Sequence, residues 1–366
     1  MAGGLKNVGY KGIRYPLPGS MRKLPGVDSK AIGTVRSIAG LILIALFLEC
    51  NAAGLPCPSA DPSCDPVGAI LAFQPRLTDR WIAVGAAGNF ALSSDGQSQW
   101  SSFTLAGNNL RAITYGSVGF VAVGDAGRIV LSATGLSGEW FDQASGTAVN
   151  LTDITYGNGL YVAVGGVPAV SATILSSTDG IVWTDRSIPL SRQLTKVVFA
   201  NNQFYTVGDA GVRAASADGI TWTNETAGIN PWTTVALGNG VFLFTDDANN
   251  MYSSATFAGL PATTGSYASA ATILATLFLP VQGLFFLVGD GGQTFVTSNG
   301  QGGALLGDTV TGVAWAIASD GFTVTVASDL GSLAYSTDLS TFNPIMVGGS
   351  AWYGILHARV PVEMDP

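Results

Sequence analysis

Charge is scarce in this chain, histidine is almost absent, and the one N-terminal apolar run is too short to cross a bilayer. Charged side chains make up 11% of 366 residues, with a single His, His357, and three Cys. A lone His with no Gly-x-Ser-x-Gly elbow, phosphate-binding loop or paired-carboxylate site beside it reads as packing or surface rather than as a general base. Three Cys and one distant His match no usual zinc-ligand spacing. Basic residues are also scarce where they would matter for nucleic acid. Residues 50–366 carry nine basic and twenty-two acidic side chains, a net of −13, and such a body repels phosphate backbones. No cofactor and no nucleic-acid partner is expected.

Glycine and apolar residues are plentiful. Gly accounts for 48 positions and hydrophobic residues for 47%, which suits many short strands joined by tight turns. One strand signal recurs: Trp81 to Gly85 (WIAVG), Phe120 to Gly124 (FVAVG), Tyr161 to Gly165 (YVAVG), Phe204 to Gly208 (FYTVG) and Phe285 to Gly289 (FFLVG). Val241 to Thr245 and Phe322 to Val326 read as degenerate copies, so the anchors lie 37 to 44 residues apart. A period of that size made wholly of strands predicts a β-propeller with one four-stranded blade per repeat. Around each anchor the same parts return: an inner LxxIxYG strand, an Asn-Gly hairpin turn, an Asp-x-Gly turn after the Val-Gly, and a third strand running into Ser-x-Asp-Gly.

Ser177 to Trp183 (STDGIVW) and Ser216 to Trp222 (SADGITW) are near-identical, with looser copies at Ser93 to Trp100 and Ser336 to Phe342. They resemble a shortened Asp-box of sialidase-like and related bacterial propellers, including the photosystem-assembly type, over roughly Trp81 to Ala358. The resemblance implies a hairpin shaped by Asp and Gly and an aromatic packed between blades. It implies a folding device, not an activity. Seven second strands are counted. Ala351 to Ala358 is an inner strand with no second strand after it, and Trp81 has none before it, so the C-terminal strand is expected to complete the first blade and remove both free edges. The expected fold is therefore all-β, a seven-bladed propeller over 71–366. Six blades stand as the alternative, because Ala255 to Thr272 lacks the Asp-Gly-x-x-Trp signature.

Residues 1–49 are different, with seven basic side chains and a net charge of +5. Basic residues up to Arg36, then eleven apolar residues from Ile38 to Leu48, read as an export signal; a bilayer span needs about 20. Cys50 after Leu46-Phe47-Leu48-Glu49 resembles the lipobox of bacterial lipoproteins, with Phe47 where Leu is usual and Glu49 where a small residue is usual. The resemblance implies a lipid anchor on Cys50, giving attachment to the membrane of a bacterial envelope, with plain secretion next. Residues 50–70 are Pro- and Ser-rich and read as a tether. Within it Cys57 and Cys64 make an even pair, suited to a local disulfide in an oxidising compartment.

Candidate sites are few. Asp125, Asp209 and Asp290 each open an Asp-x-Gly turn, but one carboxylate per turn falls short of the six to eight oxygens of calcium, so no metal is expected. A sialidase-like reaction needs an arginine cluster, a Tyr–Glu pair and an acid. Arg128 and Arg213 follow the Asp-x-Gly turns at what read as equivalent ring positions, while Glu139 and Glu225 sit near outer strands. No catalytic residue is assigned. Trp232, Trp315 and Trp352 precede or begin inner strands and read as rim aromatics able to stack on a sugar or a partner protein. The expectation is a non-enzymatic, exported propeller binding a protein or glycan at the cell surface. The alternatives are a glycan-active hydrolase or lyase on the same scaffold, and a structural component of a surface or virion assembly.

Overall fold

The computed structural model describes residues 77–226, 230–258, 262–266, 271–348 and 351–361. Cys50, Cys57 and Cys64, with the export segment and the tether, lie outside the described residues. Seven four-stranded antiparallel sheets follow one another, so the seven-blade reading holds and the six-blade alternative falls. The innermost strands are β4 (Leu110–Gly116), β8 (Leu151–Gly157), β12 (Leu194–Ala200), β16 (Trp232–Gly238), β20 (Ile273–Leu279) and β24 (Ala314–Ser319), for blades 2 to 7, and β28 (Trp352–Pro361) for blade 1. Each touches the next, and β28 touches both β24 and β4, which closes the ring.

Closure is made as the repeat phase requires. β28 runs antiparallel to β1 (Leu77–Gly85), from Leu77 opposite Pro361 to Gly85 opposite Trp352. This is the longest strand pairing in the ring, and it leaves neither inner edge of the chain's two ends open. Asp79 lies opposite Arg359 and Trp81 opposite His357 in this seam. The His357 Nε2 stands 2.9 Å from an Asp79 carboxylate oxygen, to which the Arg359 Nε also donates at 3.3 Å. His357 is thus a seam residue, its ring 4.8 Å from that of Trp81.

The blades pack through one second-strand position, aromatic in six of the seven blades. Trp81, Phe120, Tyr161, Phe204 and Phe285 are wholly buried, and Phe242 and Val324 hold the same place in blades 5 and 7. Burying such rings supplies most of the drive to stack blades, each side chain adding roughly 1.5–3 kcal/mol. The inner-strand Tyr-Gly pair has a packing reason too. A Cβ on Gly116 would meet the Tyr156 ring of the next blade at 2.4 Å, and one on Gly157 would meet Phe199 at 2.0 Å. Each glycine leaves the floor on which its neighbour's aromatic lies.

On one rim, hydroxyl-capped turns recur more widely than the sequence pattern suggests. In six of the seven blades a Ser or Thr hydroxyl accepts the backbone N–H three residues on: Ser93 from Gly96, Ser132 from Gly135, Ser177 from Gly180, Ser216 from Gly219, Thr297 from Gly300 and Ser336 from Leu339. In blade 3 Asp179 then accepts the N–H groups of Ile181 and Val182, both at 2.9 Å. These local bonds hold the hairpin without help from the outer strand, which is only two residues long in blades 3 and 4 (Thr184–Asp185 and Thr223–Asn224).

Candidate functional site at the channel mouth

The other rim is where the inner strands begin, and there all seven share one defect. The pairing of inner with second strand skips a residue directly after the first position: Arg111, Thr152, Thr195, Thr233, Leu274, Trp315 and Tyr353. A bulge of this kind leaves one residue out of the ladder and re-aims its side chain. All seven line a single cavity of about 400 Å³ at the mouth of the central channel. The first strand residues, by contrast, face the core: Leu110, Leu151, Leu194, Ile273, Ala314 and Trp352 are fully buried and Trp232 nearly so. Of the three tryptophans expected on a rim, Trp315 turns into the mouth, Trp232 is largely buried yet still borders the cavity, and Trp352 does not line it. Trp232 and Trp352 take the core position that Leu holds in other blades.

The ring is chemically lopsided. Blades 6, 7, 1 and 2 contribute Leu274, Trp315, Tyr353 and Arg111; blades 3, 4 and 5 contribute three threonines. Trp315 meets Tyr353 edge-on, with ring centroids 5.7 Å apart, and the Arg111 guanidinium lies 5.0 Å from the centre of the Tyr353 ring. Arg111 is fixed in turn by Asp125, donating Nε to Oδ1 at 2.7 Å and Nη2 to Oδ2 at 3.0 Å. This fork raises the guanidinium pKa. Burial works against the Asp125 carboxylate, yet Arg111 and the Asn109 amide hold its pKa below the ordinary value. Opposite, the hydroxyls of Thr152 and Thr195 donate to the Leu194 and Trp232 carbonyls of the following blades, both at 2.8 Å. Lys196 and Asp209 complete the polar side, where burial raises the Asp209 pKa. Behind Lys196, Asp153 accepts the Val197 N–H at 2.9 Å, and burial raises its pKa against the pull of the Lys196 charge.

The Asp-x-Gly turns supply part of this rim as short 3₁₀ turns at Asp125–Gly127, Asp209–Gly211 and Asp290–Gly292, with Ala86–Gly88 as a fourth. Asp125 and Asp209 reach the mouth; Asp290 does not line it. Among the described residues no group of three or more His, Cys, Asp or Glu could hold a metal ion.

The two arginines that read as equivalent are not. Arg213 pairs with Val207 as Ile129 pairs with Val123, so it sits one position further along than Arg128. It is fully buried, donating to the Phe257 carbonyl at 2.8 Å, with its guanidinium near the Phe244 and Phe257 rings. Arg128 instead braces the outer rim. It donates to Asp142 at 2.9 Å and to the carbonyls of Asn108 and Leu105. A shallow hollow of about 710 Å³ around it is larger than the mouth cavity, but its one cation is already committed. Glu139 lies in the turn before β7 (Phe141–Gln143), bonded to Thr134. Glu225 follows Thr223–Asn224, away from the mouth.

No protein-family model matches the chain, and no curated protein sequence matches it. Solved structures do. YCF48 from Cyanidioschyzon merolae is similar with a TM-score of 0.52 at 17% identity, over 66% of this chain and 86% of that one. A structure of YCF48 bound to D1 peptide gives 0.52 at 12%, over 74% and 86%. The WD40 β-propeller domain of Doa1 gives 0.55 at 13%, over 72% and 92%. At these identities the likeness is one of fold, and the fold is a propeller.

Proposed function

We propose that this protein is a non-enzymatic binding propeller, exported and anchored to a bacterial envelope through Cys50, that holds a protein segment or glycan at the channel mouth. The observation that carries the reading is the bulge ring. Seven residues are turned out of seven ladders into one concave cavity, and their chemistry is uneven. A ring kept only for closure has no need of an aromatic arc facing a hydroxyl arc; a pocket with apolar walls and a few placed polar groups is the usual form of a binding site. The turns on the far rim support the Asp-box resemblance, since Ser177, Asp179 and Gly180 do local folding work there. The peptide carried by the YCF48 structure supports a binding role at the level of the scaffold.

Capture from envelope extract tests it. Gln193 lines the mouth cavity, and Gln193→Trp fills it; Ile220→Asp alters an exposed far-rim turn. Partner capture is expected to fail with the first and survive with the second. Equal capture by both removes the mouth as the site. Turnover of a glycoside panel that Asp209→Asn abolishes would replace binding with catalysis. Mass spectrometry of the native N-terminus checks the anchor, with an acylated Cys50 expected and an intact Met1 contradicting it.

A further inference from the structure

We propose that the channel mouth takes a neutral sugar unit, laid against the aromatic arc with its hydroxyls toward the threonine and amide side. This rests on the reading of the mouth as the binding site and gives its ligand a chemistry. Bulk is unequal round the ring. Trp315, Tyr353 and Arg111 pack in series along one side with Leu274 beside them in the lining, and the bulge positions of the other side are three small Thr, with Pro231 and Trp232 at the edge of the cavity. The threonine side adds the amides of Asn150 and Gln193. A pyranose has the matching asymmetry, an apolar C–H face and an edge of hydroxyls that can donate to the Thr152 and Thr195 oxygens, whose own protons go to carbonyls, and exchange hydrogen bonds with the two amides. An aromatic wall serves the first and the polar side serves the second.

Charge and backbone geometry select against the other occupants. Arg111, the cation nearest the aromatics, is already forked onto Asp125 at 2.7 and 3.0 Å, so its charge is matched and an anionic ligand would meet the Asp125 carboxylate beside it. Lys196 has Asp153 behind it and Asp209 on the same rim. An extended peptide gains affinity by adding to a free strand edge. At the mouth each inner strand is bulged, which interrupts the regular edge such a peptide would need.

Calorimetric titration of the full chain with maltotriose, cellotriose, N-acetylglucosamine trisaccharide and a glucuronate-containing disaccharide tests the idea. At least one neutral saccharide is expected to saturate a single site, with the glucuronate sugar weaker. Trp315→Ala is expected to weaken that binding about tenfold, the scale of one lost aromatic contact. Trp315→Phe should keep it within about threefold, with both variants melting as one cooperative unit. Failure of every neutral saccharide, tighter binding of the uronate, or saturable binding indifferent to Trp315→Ala overturns the sugar proposal. If in addition Gln193→Trp still abolishes capture of a protein from extract, the mouth remains the binding site with a different ligand. If it does not, both readings fall.

Discussion

Gly124→Ala tests how the ring ties its turns to the mouth. Gly124 ends the second strand of blade 2, and a Cβ there would sit 1.9 Å from the Asn109 carbonyl oxygen and 2.9 Å from the Leu110 Cα. Both obstacles are backbone, so no rotamer relieves them. The carbonyl can retreat only by giving up the Asp125 N–H bond to it, 3.0 Å, and straining the Gly124 N–H bond to Arg128, 2.9 Å. Overpacking of this kind costs about 1–3 kcal/mol. Two weakened backbone hydrogen bonds add about 1 kcal/mol each. The expected loss is therefore roughly 3–5 kcal/mol, or a fall in melting temperature of roughly 6–10 °C for a domain of this size. Gly159→Ala is the control, because nothing stands within 4 Å of its added Cβ and only its φ of +77° resists the change. That backbone term is about 1–2 kcal/mol. Urea denaturation of both variants gives the comparison. A Gly124→Ala protein no less stable than Gly159→Ala would refute the close approach of turn and inner strand on which the mouth geometry depends.

Phe204→Ala empties a fully buried inter-blade position whose ring packs on Phe199 at 4.8 Å, and is expected to cost about 3–5 kcal/mol in urea denaturation. Ser177→Ala strips the buried Gly180 N–H of its acceptor and should cost about 1–3 kcal/mol, with faster amide exchange at Gly180 as the local sign. Burial opposes ionisation of Asp95, but Ser98, Gln97 and Ser93 donate to its carboxylate and bring its pKa down to about 2. Its folded value is thus below its unfolded value of 3.8, so its stabilising effect is complete above about pH 4 and is lost as pH falls through about 2. Asp95→Asn should accordingly shift the urea midpoint at about pH 6 and hardly at all at about pH 2.

The repeat, the blade count and the closing strand were all legible in the sequence, because each rests on a periodic signal. Where the signal decays, the phase slips. Val241 to Thr245 reads one residue early, since Asp246 takes the place of the Gly that ends the second strand in other blades, opposite Trp232. Phe322 to Val326 reads two early: Val324 is the buried first residue, and Phe322 stands 74% exposed in the hairpin turn. An aromatic was the natural anchor, and blade 7 put its aromatic in the turn instead. The mouth was not legible. Which of two neighbours, Trp352 or Tyr353, faces the core depends on a bulge, and a bulge shifts a side chain without leaving a period in the sequence. Arg128 and Arg213 are a different case: the one-residue offset after the Asp-x-Gly turn, DAGR against DAGVR, stands in the sequence and decides which of them is buried.

Hydrogen exchange of the protein with and without its captured partner tests the mouth most directly. Protection should appear at the starts of the inner strands, around Arg111, Thr152, Thr195 and Thr233, and in the Asp125–Gly127 turn that carries the Arg111 anchor. Protection gathered instead at the far-rim turns, around Asn158, Asp179 and Asp218, with the mouth amides unchanged, would contradict it.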